Sequence, residues 1–193
     1  MLIYLHGFRS SPDSFKGRML GEVLAARGSS DRYACPALPV SPSAAIELIE
    51  SSFALGPGDT LVGSSLGGYY ATWLAERHGC RAVLLNPAIE PAQGLRAYVG
   101  TQTMYHSGAP FEFRAEYLAE LAAIEAGPIT RPQRYLLIAA TGDELLDWRD
   151  MTARYAGARQ VVIPGSDHGL SDFADHLETV LAFAGLGPGG PGN

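Results

Sequence analysis

The sequence predicts an α/β fold, with a mainly parallel sheet covered by helices on both faces. Three observations carry this. Short apolar runs alternate with longer stretches of helical periodicity, the rhythm of right-handed βαβ units. The first run, Leu2–Leu5, is continuously apolar, as expected of a strand buried on both sides. The chain of 193 residues suits one domain with a core large enough to stand alone.

The elements follow in order. Leu2–Leu5 is a strand ending at His6-Gly7, and a loop runs to Asp13. Residues 14–27 form a helix with Met19, Leu20, Val23 and Leu24 on one face and Gly28 as its stop. Residues 33–38 read as the second strand, closed by Pro39, and Ser43 caps a helix reaching Phe53. Residues 60–62 form the third strand, followed by GSSLGG and a helix to His78; residues 82–85 form the fourth, ending Asn86-Pro87. Residues 88–131 then break the rhythm and read as a small cap insertion over one end of the sheet, without a strand but with a helix at 113–125. Tyr135–Ala140 is a strong strand, residues 147–155 a helix, 160–163 the last strand and 171–184 the last helix. Residues 1–184 are thus one domain, and the glycine- and proline-rich tail, 185–193, is expected to be disordered.

Composition narrows the function. A net charge of −6 argues against a nucleic-acid partner and against an anionic membrane surface, since both demand a basic face. The chain opens without a basic, long apolar leader, and no run is long enough to span a bilayer. Cys35 and Cys80 lack the CxxC spacing and read as free thiols, so a cytoplasmic location is expected.

Functional residues of such sheets sit on loops beyond the carboxyl ends of the strands. There, Gly63-Ser64-Ser65-Leu66-Gly67 fits G-x-S-x-G, and only Ser65 has glycine two residues away on both sides. A sharp strand-to-helix turn brings strand and helix so close that side chains at the flanking positions would collide. Ser65 is therefore the candidate nucleophile; no Gly-Lys-Ser/Thr follows that would make this a phosphate loop. A serine needs a base. His168, in the loop after the last strand, stands at the same sheet end. His6 reads as organising its loop, His78 as closing a helix, and His106 and His176 as loop and surface residues. Asp143, after the strand Tyr135–Ala140, is the orienting acid, preferred over Glu144, Asp147 and Asp167, with Asp147 better placed to cap a helix. The backbone N–H groups of Phe8 and Leu66 are the expected oxyanion donors. The order Ser, Asp, His is that of α/β-hydrolases. Tyr69, Tyr70 and Trp73 read as packing, Asn86-Pro87 as a turn or pocket floor, and Met104, Tyr105, Phe111 and Phe113 as cap anchors or pocket lining. No metal-ligand spacing is visible and no cofactor is expected.

The stretches LIYLHGFRSSPDSFKG, VGSSLGGYYATWLAE, LLNPAIEP, TGDELLDWR and SDHGLSDFADHLETVLAF resemble the YqiA-type small bacterial esterases of the α/β-hydrolase superfamily. The resemblance implies a compact α/β-hydrolase lacking the superfamily's first strands, with Ser65, Asp143 and His168 as a triad. The chain departs from the family at Arg9 and Asp167, where asparagine is common, and in the segment 98–113. Arg9 reads either as a cation for an anionic substrate group or as a solvated side chain. The resulting expectation is a serine esterase acting on a small-molecule ester. Acyl-thioester hydrolysis by the same machinery and a non-catalytic binding domain are the rivals.

Overall fold

The computed structural model describes residues 1–187. Six strands form one parallel sheet: β1 (Leu2–Leu5), β2 (Tyr33–Ala34), β3 (Thr60–Ser64), β4 (Arg81–Leu85), β7 (Tyr135–Ala140) and β8 (Arg159–Ile163), in the order β2-β1-β3-β4-β7-β8. Alternation along β1 shows why both faces are apolar. Ile3 and Leu5 enter one core with α2 (Pro42–Ser52), α3 (Leu66–His78) and α6 (Trp148–Arg154); Leu2 and Tyr4 enter the other with α1 (Phe15–Ala26) and α7 (Phe173–Phe183). The chain steps from β1 to β2, then returns across β1 to β3, so connections leave β1 and β3 in opposite directions. A crevice opens between their carboxyl ends.

The structure differs from the sequence reading at four places. The second strand stops at Ala34 because Pro36 has no N–H to give the ladder. The chain leaves the sheet, and the Leu38 N–H binds His6 Nε2 at 3.1 Å instead. The cap of α2 is Ser41, not Ser43: Ser41 Oγ accepts from the Ala44 N–H at 3.2 Å, and Pro42 takes the first helical position. Ser43 donates to Glu120 of α5 (Glu116–Ala123) through its N–H and its hydroxyl. The insertion holds a short helix, α4 (Pro91–Gly94), and an antiparallel hairpin, β5 (Gly100–Thr103) with β6 (Pro110–Phe113), where no strand was expected. Phe113 therefore ends a strand, and the helix predicted at 113–125 is the shorter α5. Finally, Gly185 and Leu186 close α7. Gly185 takes φ 73°, the Leu186 N–H reaches the Leu181 carbonyl at 2.8 Å, and the Leu186 side chain is buried. This is a Schellman stop with its apolar contact. The rest of the expected disordered tail, 188–193, lies outside the described residues. Both cysteines are free, Cys80 buried and Cys35 half-buried.

Candidate active site

The turn after β3 is built around its glycines. A Cβ on Gly63 would stand 2.2 Å from the Gly67 carbonyl oxygen, and one on Gly67 would stand 2.0 Å from the Leu5 carbonyl oxygen. Neither position admits a side chain while β1, β3 and α3 pack this closely. Ser65 between them has φ 53° and ψ −118°, a strained conformation for a residue with a Cβ. It is fixed by tertiary bonds: its N–H donates to the Leu85 carbonyl, and its own carbonyl accepts from Ala88 and Gly68, all near 3 Å. Among the described residues positive φ also occurs at Arg9, Asn86, Ser166 and Leu170, so the strained non-glycine residues described all lie in loops at this end of the sheet.

His168 lies in the loop after β8, and its Nδ1–H donates to Asp143 Oδ2 at 2.7 Å. That bond puts the proton on Nδ1 and leaves Nε2 free as a base. The Asp143 side chain is fully buried. Its other oxygen accepts from the N–H groups of Leu145 and Leu146 at 2.8 and 2.9 Å, so the carboxylate cannot rotate away. Asp147 does cap α6, accepting from the Arg149 N–H, while Asp167 binds Ser171. The loops carrying Asp143 and His168 are zipped together: the Gly142 N–H meets the Gly165 carbonyl, and the Gly165 N–H meets Thr141 Oγ1.

Ser65, Leu66, Phe8 and His168 line one cavity of about 340 Å³. Leu66 is the first residue of α3, so its N–H has no helical carbonyl to meet and the positive end of the helix dipole faces the cavity. Phe8 follows Gly7, where a Cβ would come within 3.2 Å of the Ser65 Cβ; the first loop thus lies directly against the serine. The Phe8 ring packs edge-on against Tyr98, Phe111 and Phe113, fastening the hairpin to the body of the protein. Phe111 and Phe113 are therefore anchors, whereas Tyr105 lines the cavity and is exposed.

The model of the uncharacterised protein family UPF0227 matches residues 1–185. The chain belongs to this family. The match bears out the YqiA-type resemblance within the α/β-hydrolase superfamily. Solved structures share the fold at low identity. A putative hydrolase from Agrobacterium vitis has 17% identity and a TM-score of 0.71, over 95% of this chain and 87% of that one. The mouse alpha/beta hydrolase domain-containing protein 10 has 17% identity and a TM-score of 0.68, over 94% and 86%. Est1E of Butyrivibrio proteoclasticus, solved with ferulic acid bound, has 15% identity and a TM-score of 0.64, over 95% and 86%. These likenesses establish the fold.

Several residues that shape the site of this family member escaped the sequence reading of roles. Asn86, fully buried with φ 42°, donates through Nδ2 to the carbonyls of Asp167 and His168 at 3.0 and 3.1 Å. Its Oδ1 accepts from the Ala140 N–H at 2.8 Å, so one amide ties the end of β7 to the histidine loop. Glu144, set aside as the acid, accepts from the His168 backbone N–H at 3.0 Å. His6 organises its loop as expected. Nδ1–H meets the Gly7 carbonyl, Nε2 accepts from Leu38, and burial pushes its pKa down. Arg9 is half-buried and does not line the cavity: Nε donates to the Thr103 carbonyl at 2.7 Å, and the guanidinium stacks on Tyr105. Tyr69 and Tyr70 pack in the core. No helix among the described residues is long and apolar enough to cross a membrane.

Proposed function

We propose that this protein is a serine hydrolase of carboxylic esters that works through an acyl-enzyme. One observation carries the reading. A fully buried Asp143 holds the Nδ1 side of His168 at 2.7 Å, and His168 lines the same cavity as the strained Ser65. With Nδ1 occupied, His168 Nε2 takes the Ser65 proton as Oγ attacks the ester carbonyl. The N–H groups of Phe8 and Leu66 receive the oxyanion; such donors typically contribute about 3 kcal/mol each to the transition state. The imidazolium, stabilised by Asp143, protonates the departing alcohol. Water, deprotonated by the same nitrogen, then attacks the acyl-serine and releases the acid. The chemistry needs no cofactor.

An oxygen ester of modest size is favoured over a long-chain thioester because the cavity is small. About 340 Å³ lies at the low end of the roughly 300–1,000 Å³ typical of small-molecule sites. The test is hydrolysis of p-nitrophenyl butyrate and p-nitrophenyl palmitate beside butyryl and palmitoyl thioesters, by wild type and Ser65→Ala. Turnover of the butyrate ester, lost in Ser65→Ala, is the expected result. Turnover of palmitoyl thioester alone would transfer the assignment to a thioesterase.

A further inference from the structure

On α1 the residues Lys16, Leu20 and Leu24 fall at i, i+4 and i+8, one face of the helix. Leu20 and Leu24 are buried in the core beneath the sheet, and Lys16 is buried with them at 5% exposure. Its Nζ donates to the carbonyl of Gly169, the residue after the candidate base, and lies over the Phe15 ring. Among the described residues no carboxylate comes within 4.0 Å of it. Asp167 is the nearby acid, but its two oxygens are bound to the N–H and hydroxyl of Ser171. Burial pushes the Lys16 pKa down to about 8, with Asp167 opposing the shift, so the group stays mainly cationic at neutral pH. A buried ammonium with no carboxylate in direct contact is costly, and this one lines the active-site cavity.

The cavity has two unlike sides. Phe8, Ile89, Leu95 and Leu146 pack with the core on one face of the sheet. Tyr4 of β1 and Lys16 of α1 stand on the other face, with Ser14 capping α1. Leu170 belongs to that second core, so the loop carrying His168 lies on the Lys16 side. The leaving alcohol of an ester must lie against the base that protonates it. Resting on the serine-esterase reading, we propose that Lys16 binds an anionic group, carboxylate or phosphate, on the alcohol half of the substrate, while the acyl half lies along the apolar side.

The test compares the butyrate esters of 3-hydroxybenzoate and of its neutral analogue 3-hydroxybenzamide. The ratio of their kcat/KM values in wild type is divided by the same ratio in Lys16→Met, which cancels the reactivity of the leaving groups. A charge-assisted hydrogen bond predicts a quotient of roughly 10- to 100-fold, largely kept in Lys16→Arg. A quotient of one overturns the proposal. In parallel, calorimetry measures binding of free 3-hydroxybenzoate, 3-hydroxybenzamide and phenyl phosphate to wild type. Tighter binding of either anion than of the amide supports the site, and the two anions separate carboxylate from phosphate. Equal affinity for all three overturns it even where Lys16→Met does not fold. Anion binding without ester turnover would support the site while removing the esterase reading. Turnover without anion preference would remove Lys16 alone.

Discussion

Ser64 and Ser65 are neighbours, yet only Ser65 lies between two glycines that the close packing of β1, β3 and α3 makes obligatory. Ser65→Ala is expected to lose roughly four orders of magnitude or more in kcat, and Ser64→Ala less than about tenfold, both read by steady-state hydrolysis. Equal losses would mean that the turn presents the other hydroxyl. Asp143→Asn is expected to fall about 10⁴-fold, because the amide stabilises the wrong imidazole tautomer. Asp147→Asn should stay near wild type, since asparagine caps α6 as well as aspartate does. Asn86→Ala leaves the carbonyls of Asp167 and His168 without their donor and the Ala140 N–H without its acceptor. A loss of about 1–3 kcal/mol in urea unfolding is expected, with a lower kcat, because the base loop loses its tie. The three positions proposed as a triad were legible because motif and strand order each point to a loop end. Asn86 was legible only as a turn or pocket floor: its bonds reach 81 and 54 residues along the chain, to loops whose approach no local pattern encodes.

At the scale of elements, the hairpin β5–β6 escaped detection because its strands, GTQT and PFEF, are four residues each and half polar. It is held by packing rather than propensity, through the rings of Phe8, Phe111 and Phe113 and through Arg9 on Thr103. Arg9→Ala is therefore expected to raise hydrogen exchange across 100–113 and to raise KM more than it lowers kcat. Its effect on global stability should stay below about 1 kcal/mol, as for other exposed charged contacts. The Lys16 register was visible in the spacing to Leu20 and Leu24, but lysines commonly extend from a helix flank to water. The α1 stop at Gly28 read correctly, with φ 68° and a Ser29 N–H bonded to the Leu24 carbonyl at 2.8 Å.

At the scale of the whole molecule, loops from β1, β3, β4, β7 and β8 converge on one cavity, which is why residues as far apart in sequence as Phe8 and His168 line it together. Stability and site assembly are coupled through His6, whose neutral ring joins the β1 loop to Leu38. Burial lowers its pKa below the ordinary 6.5, so as pH falls through 6.5 the unfolded chain takes a proton that the native one refuses. Stability contributed by the neutral ring is complete above that pH and declines below it, down to the lowered native pKa. Urea midpoints measured from pH 8 to pH 5 should show a steeper acid decline in wild type than in His6→Gln. The most direct test of the central claim is labelling of the purified protein with a fluorophosphonate, followed by peptide mass spectrometry. A single adduct on Ser65 that disappears in His168→Ala is the expected result. An adduct on Ser64, or no adduct on a folded protein, would contradict it.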